Sequence, residues 1–132
     1  MAGETDLDKL IREMKPELNA GEYVFCLTNS KHNIRLTEAL CLFQEKEGPT
    51  MILTKQKADE AELPYSGTFA WITLTVHSSL EAVGLTAAVS QALTKANISC
   101  NMVAAYYHDH LFVPYTDAEK AMAALQDLTQ LT

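Results

Sequence analysis

The residues best suited to chemistry stand at a junction between a predicted strand and a predicted helix, residues 77–86. A helix N terminus offers unsatisfied backbone N–H groups and the positive end of the helix dipole, both of which suit a carboxylate. Ser78 either caps this helix or contacts a ligand, and one hydroxyl can do both. Gly84, which costs a helix about 1 kcal/mol relative to Ala, indicates either close packing on the sheet or the approach of a ligand or neighbouring backbone. The junction predicts a site for a small polar molecule.

Catalytic interpretations find little support elsewhere in the chain. The motifs G-x-S-x-G, G-x-x-x-x-G-K and H-E-x-x-H are absent from the sequence. His108 and His110 could present two imidazoles to a metal, but no Cys-x-x-Cys or dense acidic cluster accompanies them. The alternative is a hairpin turn in which Asp109 satisfies backbone donors. Cys100 is either an activated thiol or a small apolar residue in a core strand. We expect no catalysis, no metal and no cofactor.

Composition excludes several classes of partner. The 132 residues are 48% hydrophobic and carry a net charge of −7, from 10 Lys+Arg against 17 Asp+Glu. A nucleic acid or an anionic membrane would need clustered positive charge, which the sequence lacks. No apolar stretch is long enough to span a membrane, and residues 1–9 lack the pattern of a secretion signal. We therefore expect a cytoplasmic protein in which Cys26, Cys41 and Cys100 are reduced thiols.

The two halves of the chain differ in charge. The segment Pro64-Tyr65-Ser66-Gly67 predicts a boundary between domains at residues 1–66 and 67–132. The first half carries 8 Lys+Arg and 12 Asp+Glu, whereas the second carries 2 and 5. This difference is either drift in composition or a sign that the second half buries extra surface against the first half or another subunit. We favour the second interpretation and expect a homo-oligomer.

The first half predicts the order αβββα. A helix capped by Thr5, with Asp8 three positions on, is stopped by Pro16. It is followed by a strand at 22–28, a polar loop at 29–35, a hairpin of strands 38–44 and 50–54, and a short charged helix at 57–63.

The second half predicts the order βαββα. The elements are a strand at 68–76, a helix at 79–96, strands at 99–106 and 110–113, and a helix at 117–128. Capping boxes are predicted at Ser78-x-x-Glu81 and Thr116-x-x-Glu119. One more strand, or one borrowed from the other half, would complete a ferredoxin-like sandwich. The predicted fold class is α+β, with two ferredoxin-like lobes whose antiparallel sheets carry helices on one face.

Residues 68–114 resemble an ACT domain, the βαββαβ regulatory module of many enzymes of amino-acid metabolism. The resemblance rests on three segments: Thr75-Val76-His77 with Ala82-Val83-Gly84-Leu85-Thr86, Leu93-x-x-Ala96-Asn97-Ile98-Ser99-Cys100-Asn101, and Tyr107-His108-Asp109-His110-Leu111-Phe112-Val113-Pro114. Together they resemble stand-alone proteins of two tandem ACT-like units and the ACT repeats of cytosolic arginine sensors. The first half resembles the divergent partner unit, with a loop at 29–35 where the first helix should be.

The resemblance implies that ACT-like units pair side by side and hold an amino acid or similar metabolite at their interface. It implies contacts from the loop of one unit, from the second strand of its neighbour, and from Asp109 as the nearest acid to a cationic group. The implied ligand-binding residues are His77, Ser78, Val83, Gly84, Leu85, Thr86, Asn97, Ile98, Ser99, Cys100, Asn101 and Asp109.

Three functions follow from these observations. The first is a regulatory protein that binds an amino acid or similar metabolite. The second is an oligomerisation or protein-interaction module without a ligand. The third is a small enzyme or transfer protein, since a fold does not determine function. Of three aromatic residues near the candidate site, we expect Trp71 in the core, whereas Tyr106 and Tyr107 are either core or pocket walls.

Overall fold

The computed structural model describes residues 3–29 and 34–130, and the chain divides into two compact units. One comprises Gly21–Phe69 and is called the small unit. The other comprises Met1–Ala20 together with Ala70–Thr132 and is called the large unit. The predicted domain division after residue 66 stays a prediction, because compact units and sequence domains need not share their ends.

The described residues form four helices and seven strands, with two short 3₁₀ turns at Leu36–Glu38 and Tyr115–Asp117. The helices are α1 (Leu7–Glu13), α2 (Lys55–Glu60), α3 (Leu85–Lys95) and α4 (Ala118–Thr129). The strands are β1 (Pro16–Leu18), β2 (Tyr23–Leu27), β3 (Cys41–Glu45), β4 (Gly48–Thr54), β5 (Phe69–Leu74), β6 (Asn101–Ala104) and β7 (Asp109–Pro114). No helix among the described residues is long and apolar enough to cross a membrane.

The large unit is a ferredoxin-like sandwich. Its strands follow the order β1-β5-β7-β6, with β1 antiparallel to β5 and β6 antiparallel to β7. Helices α1, α3 and α4 cover one face of this sheet and share its core. The predicted order βαββα is confirmed, and the additional strand comes from the first half of the chain as β1.

Side-chain periodicity explains how the large unit packs. In β5 every second residue, namely Ala70, Ile72 and Leu74, belongs to the core shared with the helices. Helix α3 buries Leu85, Val89 and Leu93, spaced four residues apart on one face. The same core also contains Leu10, Leu111, Val113, Ala121 and Leu125, each at 0% exposure.

The small unit repeats the strand order with less helix. Strand β4 lies between β3 and β2 and is antiparallel to both. Helix α2 contributes Ala58 to a core that includes Val24 and Leu53, all three at 0% exposure. Among the described residues between β2 and β3, one 3₁₀ turn stands where the large unit has α3. Residues 30–33 of the predicted loop lie outside the described residues.

Several element ends differ from the sequence predictions. Helix α1 is capped by Asp6, whose Oδ1 accepts from the Lys9 N–H at 3.3 Å, so the prediction of a Thr5 cap is wrong. Helix α2 begins at Lys55 under a Thr54 cap, two residues earlier than predicted. Helix α4 follows a 3₁₀ turn and has no side-chain cap, so the box at Thr116 does not form. The hairpin begins at Cys41 rather than residue 38, because residues 36–38 form the 3₁₀ turn.

Candidate functional site

The loop between β5 and α3 is longer than predicted, because α3 starts at Leu85 rather than residue 79. The box at Ser78-x-x-Glu81 does not cap a helix, and the neighbouring Ser79 closes a local turn instead. The Ala82 N–H donates to the Ser79 carbonyl at 3.0 Å, and the Glu81 N–H donates to Ser79 Oγ at 3.1 Å. A short polar side chain can satisfy backbone donors in a turn as well as at a helix cap, so the pattern alone does not separate the two.

Gly84 is the N-cap of α3 and has a left-handed backbone, with φ +105°. Its carbonyl accepts from the Ala88 N–H at 2.9 Å, which begins the helical ladder. A Cβ at this position would lie 2.8 Å from Leu7 Cδ2 of α1. The close approach inferred from Gly84 is therefore made by a leucine of the same unit, and its backbone conformation independently favours glycine.

Ser78 is buried in the loop and does not cap α3. Its Oγ donates to Asp109 Oδ2 at 3.3 Å, and both residues are at least nine-tenths buried. Asp109 is the first residue of β7, so this hydrogen bond ties the loop to the sheet. The structure thus brings together two of the predicted ligand-binding residues from positions 31 apart in the chain.

A cleft of about 330 Å³ opens beside the loop. Among the described residues that line it, Glu81 is the only acid and none is Lys or Arg. Backbone groups, two serines and a carboxylate offer hydrogen-bond donors and acceptors in one place, which is the arrangement expected for a polar ligand. The lining residues are Gly3, His77, Ser78, Ser79, Leu80, Glu81 and Tyr106.

Aromatic rings stand at the mouth of this cleft. The His77 ring lies 5.4 Å from that of Tyr107 and 6.4 Å from that of Tyr106, measured between centroids. The two tyrosine rings meet edge to face at 5.0 Å. Tyr106 and Tyr107 are 58% and 63% exposed, so they are surface residues and not core. Tyr106 forms a wall of the cleft, one of the two roles left open by the sequence.

The other predicted contacts lie at the opposite end of α3. This helix has 11 residues and is about 16 Å long. The Asn97–Cys100 segment follows its C terminus, and Asn101 begins β6, where Nδ2 donates to the Phe112 carbonyl at 3.2 Å. Within the large unit these residues therefore do not join the cleft. Such a separation is expected if the two sets come from neighbouring units, which stays a prediction.

The remaining predicted residues differ in exposure. Leu85 and Ile98 are 3% and 4% exposed and belong to the core, so only their backbone atoms could reach a ligand. Val83 is 83% exposed, and Thr86 and Ser99 are also exposed. Ser79, Leu80 and Glu81 line the cleft but were assigned to a helix and not to the ligand-binding set, and Gly3 was missed because nothing in its local pattern marks it.

Cys100 packs against the core of the large unit. Burial raises the pKa of its thiol, so Cys100 stays protonated and is a poor nucleophile. The structure favours the interpretation of Cys100 as a small apolar residue.

The rings of His108 and His110 lie 6.4 Å apart, and no metal-binding group of three or more His, Cys, Asp or Glu occurs among the described residues. His110 Nδ1 instead accepts from Trp71 Nε1 at 3.0 Å and lies 3.1 Å from Thr73 Oγ1. Burial, and to a smaller degree His108, lowers the pKa of His110 against the opposing effect of Asp109.

Trp71 is half-buried on the sheet face opposite the helices, so the expectation of a core position is wrong.

Comparison with known proteins extends these observations. Two family profiles described as ACT domain match residues 2–70 and 68–127. No curated protein matches the chain. A crystal structure of a Vibrio cholerae protein of unknown function, described as a possible transport protein, is 45% identical with a TM-score of 0.82 and covers 96% of this chain and 98% of that one.

More distant structures share the fold. An Agrobacterium tumefaciens protein has a TM-score of 0.72 at 15% identity, covering 89% of this chain and 90% of that one. The regulatory subunit of aspartate kinase from Thermus thermophilus has a TM-score of 0.59 at 11% identity, covering 88% and 98%. The two profile matches together span almost the whole chain, and neither is a catalytic domain. The chain belongs to the ACT domain family and carries two ACT domains in tandem.

Proposed function

We propose that this protein is a regulatory protein that binds an amino acid or a similar small metabolite. The observation that carries the proposal is the cleft beside the β5–α3 loop, where Ser78, Ser79 and Glu81 meet the ring of Tyr106. Membership of the ACT family supports a regulatory role, and the aspartate kinase regulatory subunit of similar fold is a protein of that kind. We expect the protein to act in the cytoplasm and without catalysis of its own.

The ligand is proposed to lie at an interface with a neighbouring ACT unit in a homo-oligomer. The cleft offers one part of a site, whereas Asn97 to Asn101 lie at the far end of α3. A second unit is required if both sets contact one ligand. Asp109, which accepts a hydrogen bond from the cleft residue Ser78, is the proposed partner for a cationic group.

The alternative is an assembly module without a ligand. Leu80 and Val83 support it, since the loop exposes 67% and 83% of these residues to solvent. Exposed apolar side chains that lie close together are typical of an interaction surface. A stable oligomer that responds to no metabolite would favour this alternative.

A thermal-shift screen against the twenty amino acids and the common nucleotides tests the first proposal. A ligand at 100 times its Kd adds about 2.7 kcal/mol to the free energy of unfolding, which raises the melting temperature by several degrees in a chain of this size. If no compound raises the melting temperature, the assembly module becomes the favoured function.

Two variants locate the site once a compound is found. Tyr106→Ala removes a wall of the cleft and should weaken binding at least about tenfold, equivalent to about 1.4 kcal/mol. Tyr115→Ala is the matched control, because Tyr115 is 43% exposed in the same unit and does not line the cleft. Equal affinity in both variants would place the ligand elsewhere. Unchanged binding in a folded Gly84→Asp variant would likewise remove the loop from the proposed site.

A further inference from the structure

The segment of residues 3–7, called the strap, runs beside the β5–α3 loop in the large unit. The Glu4 N–H donates to the His77 carbonyl at 3.0 Å, and the Ser79 N–H donates to the Glu4 carbonyl at 2.9 Å. Glu4 and Ser78 thereby form an isolated parallel bridge. The strap thus forms hydrogen bonds with the main chain of His77 and of Ser79, on both sides of Ser78.

Gly3 lies too close to the loop for any side chain. A Cβ there would stand 2.6 Å from both the Ser78 carbonyl carbon and the Ser79 nitrogen. These are backbone atoms, so a side chain could be accommodated only by moving the strap or the loop. Gly3 also lines the cleft, and the strap is therefore one of its walls.

Leu7 provides the second contact, at the other end of the loop. Its Cδ2 would be 2.8 Å from a Cβ on Gly84, the residue from which α3 starts. The strap therefore touches the loop at residues 77–79 and again at residue 84. Between these contacts lie Leu80 and Glu81, which line the cleft.

We propose that the strap is a positioning element: it holds loop residues 77–84 in the conformation that builds the cleft, and its attachment is coupled to ligand binding. The part of the proposal that concerns binding rests on the proposed function. In the described residues the strap is held by two backbone hydrogen bonds to the loop and by the partly buried Leu7, which also packs against the core, while Thr5 and Asp6 are exposed. Such segments open locally without global unfolding, and a ligand that needs the ordered loop shifts the strap towards its attached state.

The test compares Glu4→Pro with Glu4→Ala in the full chain. Proline removes the N–H that donates to His77, whereas alanine keeps both backbone hydrogen bonds and removes only a side chain 4.0 Å from Lys9 Nζ. We expect the Ser79 amide to exchange hydrogen at least about tenfold faster in Glu4→Pro, while Glu4→Ala behaves like the wild type. The Leu93 amide in α3 should keep its protection in both variants, which shows that the core is intact.

Gly3→Val is a second variant, because it displaces the strap sterically and removes no hydrogen-bond donor. Faster Ser79 exchange in both strap variants supports the proposal, and wild-type exchange in folded Glu4→Pro and Gly3→Val proteins would overturn it.

The binding measurement uses each of the twenty free amino acids as probes. A loss of affinity of about tenfold or more in Glu4→Pro, absent in Glu4→Ala, supports a positioning role. Faster exchange with unchanged affinity would refute that role. If no amino acid binds the wild type, the proposed function fails by itself, and the Ser79 exchange rates still decide whether the strap holds the loop.

Discussion

Strands β2, β3 and β4 of the small unit have the same spatial order as β5, β6 and β7 of the large unit, but β2 and β3 are connected differently from β5 and β6. In the large unit β5 leads to the 11-residue helix α3, whose Leu85, Val89 and Leu93 are buried. In the small unit the described part of the β2–β3 connection contains one 3₁₀ turn with no buried residue. The strand order of a ferredoxin-like sandwich can therefore persist without its first helix. The helix start at Gly84, and the loop before it, are features of the large unit.

The largest expected difference concerns how these two connections pack. Leu93→Ala deletes a side chain that is 0% exposed and should lower the free energy of unfolding by about 3 kcal/mol. Leu36→Ala changes a residue that is 65% exposed in the 3₁₀ turn and should change it by less than about 0.5 kcal/mol. Urea denaturation measures both values. Similar losses in the two variants would contradict the contrast between a packed helix and an exposed turn.

A glycine of each unit differs in its surroundings and therefore in the expected cost of substitution. Gly84 in the large unit has φ +105° with Leu7 beside it, whereas Gly67 in the small unit has φ +77° and nothing within 4 Å of an added Cβ. Gly67→Ala should cost about 1 kcal/mol through its backbone alone. Gly84→Ala should cost about 2 kcal/mol, because Leu7 must also move.

A double-mutant cycle with Leu7→Ala checks this difference. The additional cost of Gly84→Ala should disappear when Leu7 is already shortened, whereas Gly67→Ala should be unaffected by the change at Leu7. Additive losses at Gly84 and Leu7 would show that the backbone conformation accounts for the whole effect.

Buried hydroxyls provide a smaller contrast. Ser78→Ala leaves the buried Asp109 carboxylate without this donor, and we expect a loss of about 1.5 kcal/mol. In the small unit Thr28 Oγ1 donates to the Pro49 carbonyl at 3.3 Å, but that carbonyl also accepts from the Thr28 N–H at 2.9 Å. Thr28→Val should therefore cost less than about 1 kcal/mol. Thermal denaturation at pH 7 measures both losses of stability, and a larger loss in Thr28→Val than in Ser78→Ala would contradict the prediction.

The smallest expected changes in stability depend on pH, and they occur in different pH ranges for the two units. The lowered pKa of His110 means that the unfolded chain binds a proton first, so stability falls as pH drops from about 6.5 towards the folded pKa. Protonation of His110 Nδ1 would also break its hydrogen bond from Trp71, the single tryptophan of the chain. Trp71 fluorescence should change in this window, and His110→Gln should abolish the change. An unaltered transition in that variant would exclude His110 as its origin.

In the small unit the relevant groups are carboxylates at the surface. The hydrogen bond from Lys57 lowers the pKa of Glu38, and the hydrogen bond from Lys55 lowers that of Asp59. Their contribution is present above the ordinary carboxyl pKa of about 4 and is lost as pH falls through the folded values. Because both carboxylates keep contact with solvent, Asp59 more than the half-buried Glu38, this contribution should be small and should weaken further in high salt.

Local patterns were sufficient for much of the architecture. Aromatic and β-branched residues at 68–76 and an apolar stripe at 79–96 predicted the strand and helix that open the βαββα order of the second half, which the structure confirms. The capping-box pattern at Ser78 predicted a helix six residues too early, because Ser79 satisfies the same kind of backbone donor within a turn. The sequence pattern indicates which hydrogen bonds a side chain can form, whereas the tertiary structure determines which of them form.

The sequence alone therefore determined the class of the fold, since helices and strands follow from residue patterns over short segments. The resemblance of its motifs to an ACT domain indicated the two ACT-like units, and the ligand loop at residues 77–86 stays a prediction. Tertiary structure decided what surrounds that loop. Strand β1 is three residues long and pairs with β5, 54 or more positions away, and the strap contacts residues more than 70 positions away. Such contacts depend on chain closure over long separations and leave no periodic trace in the sequence.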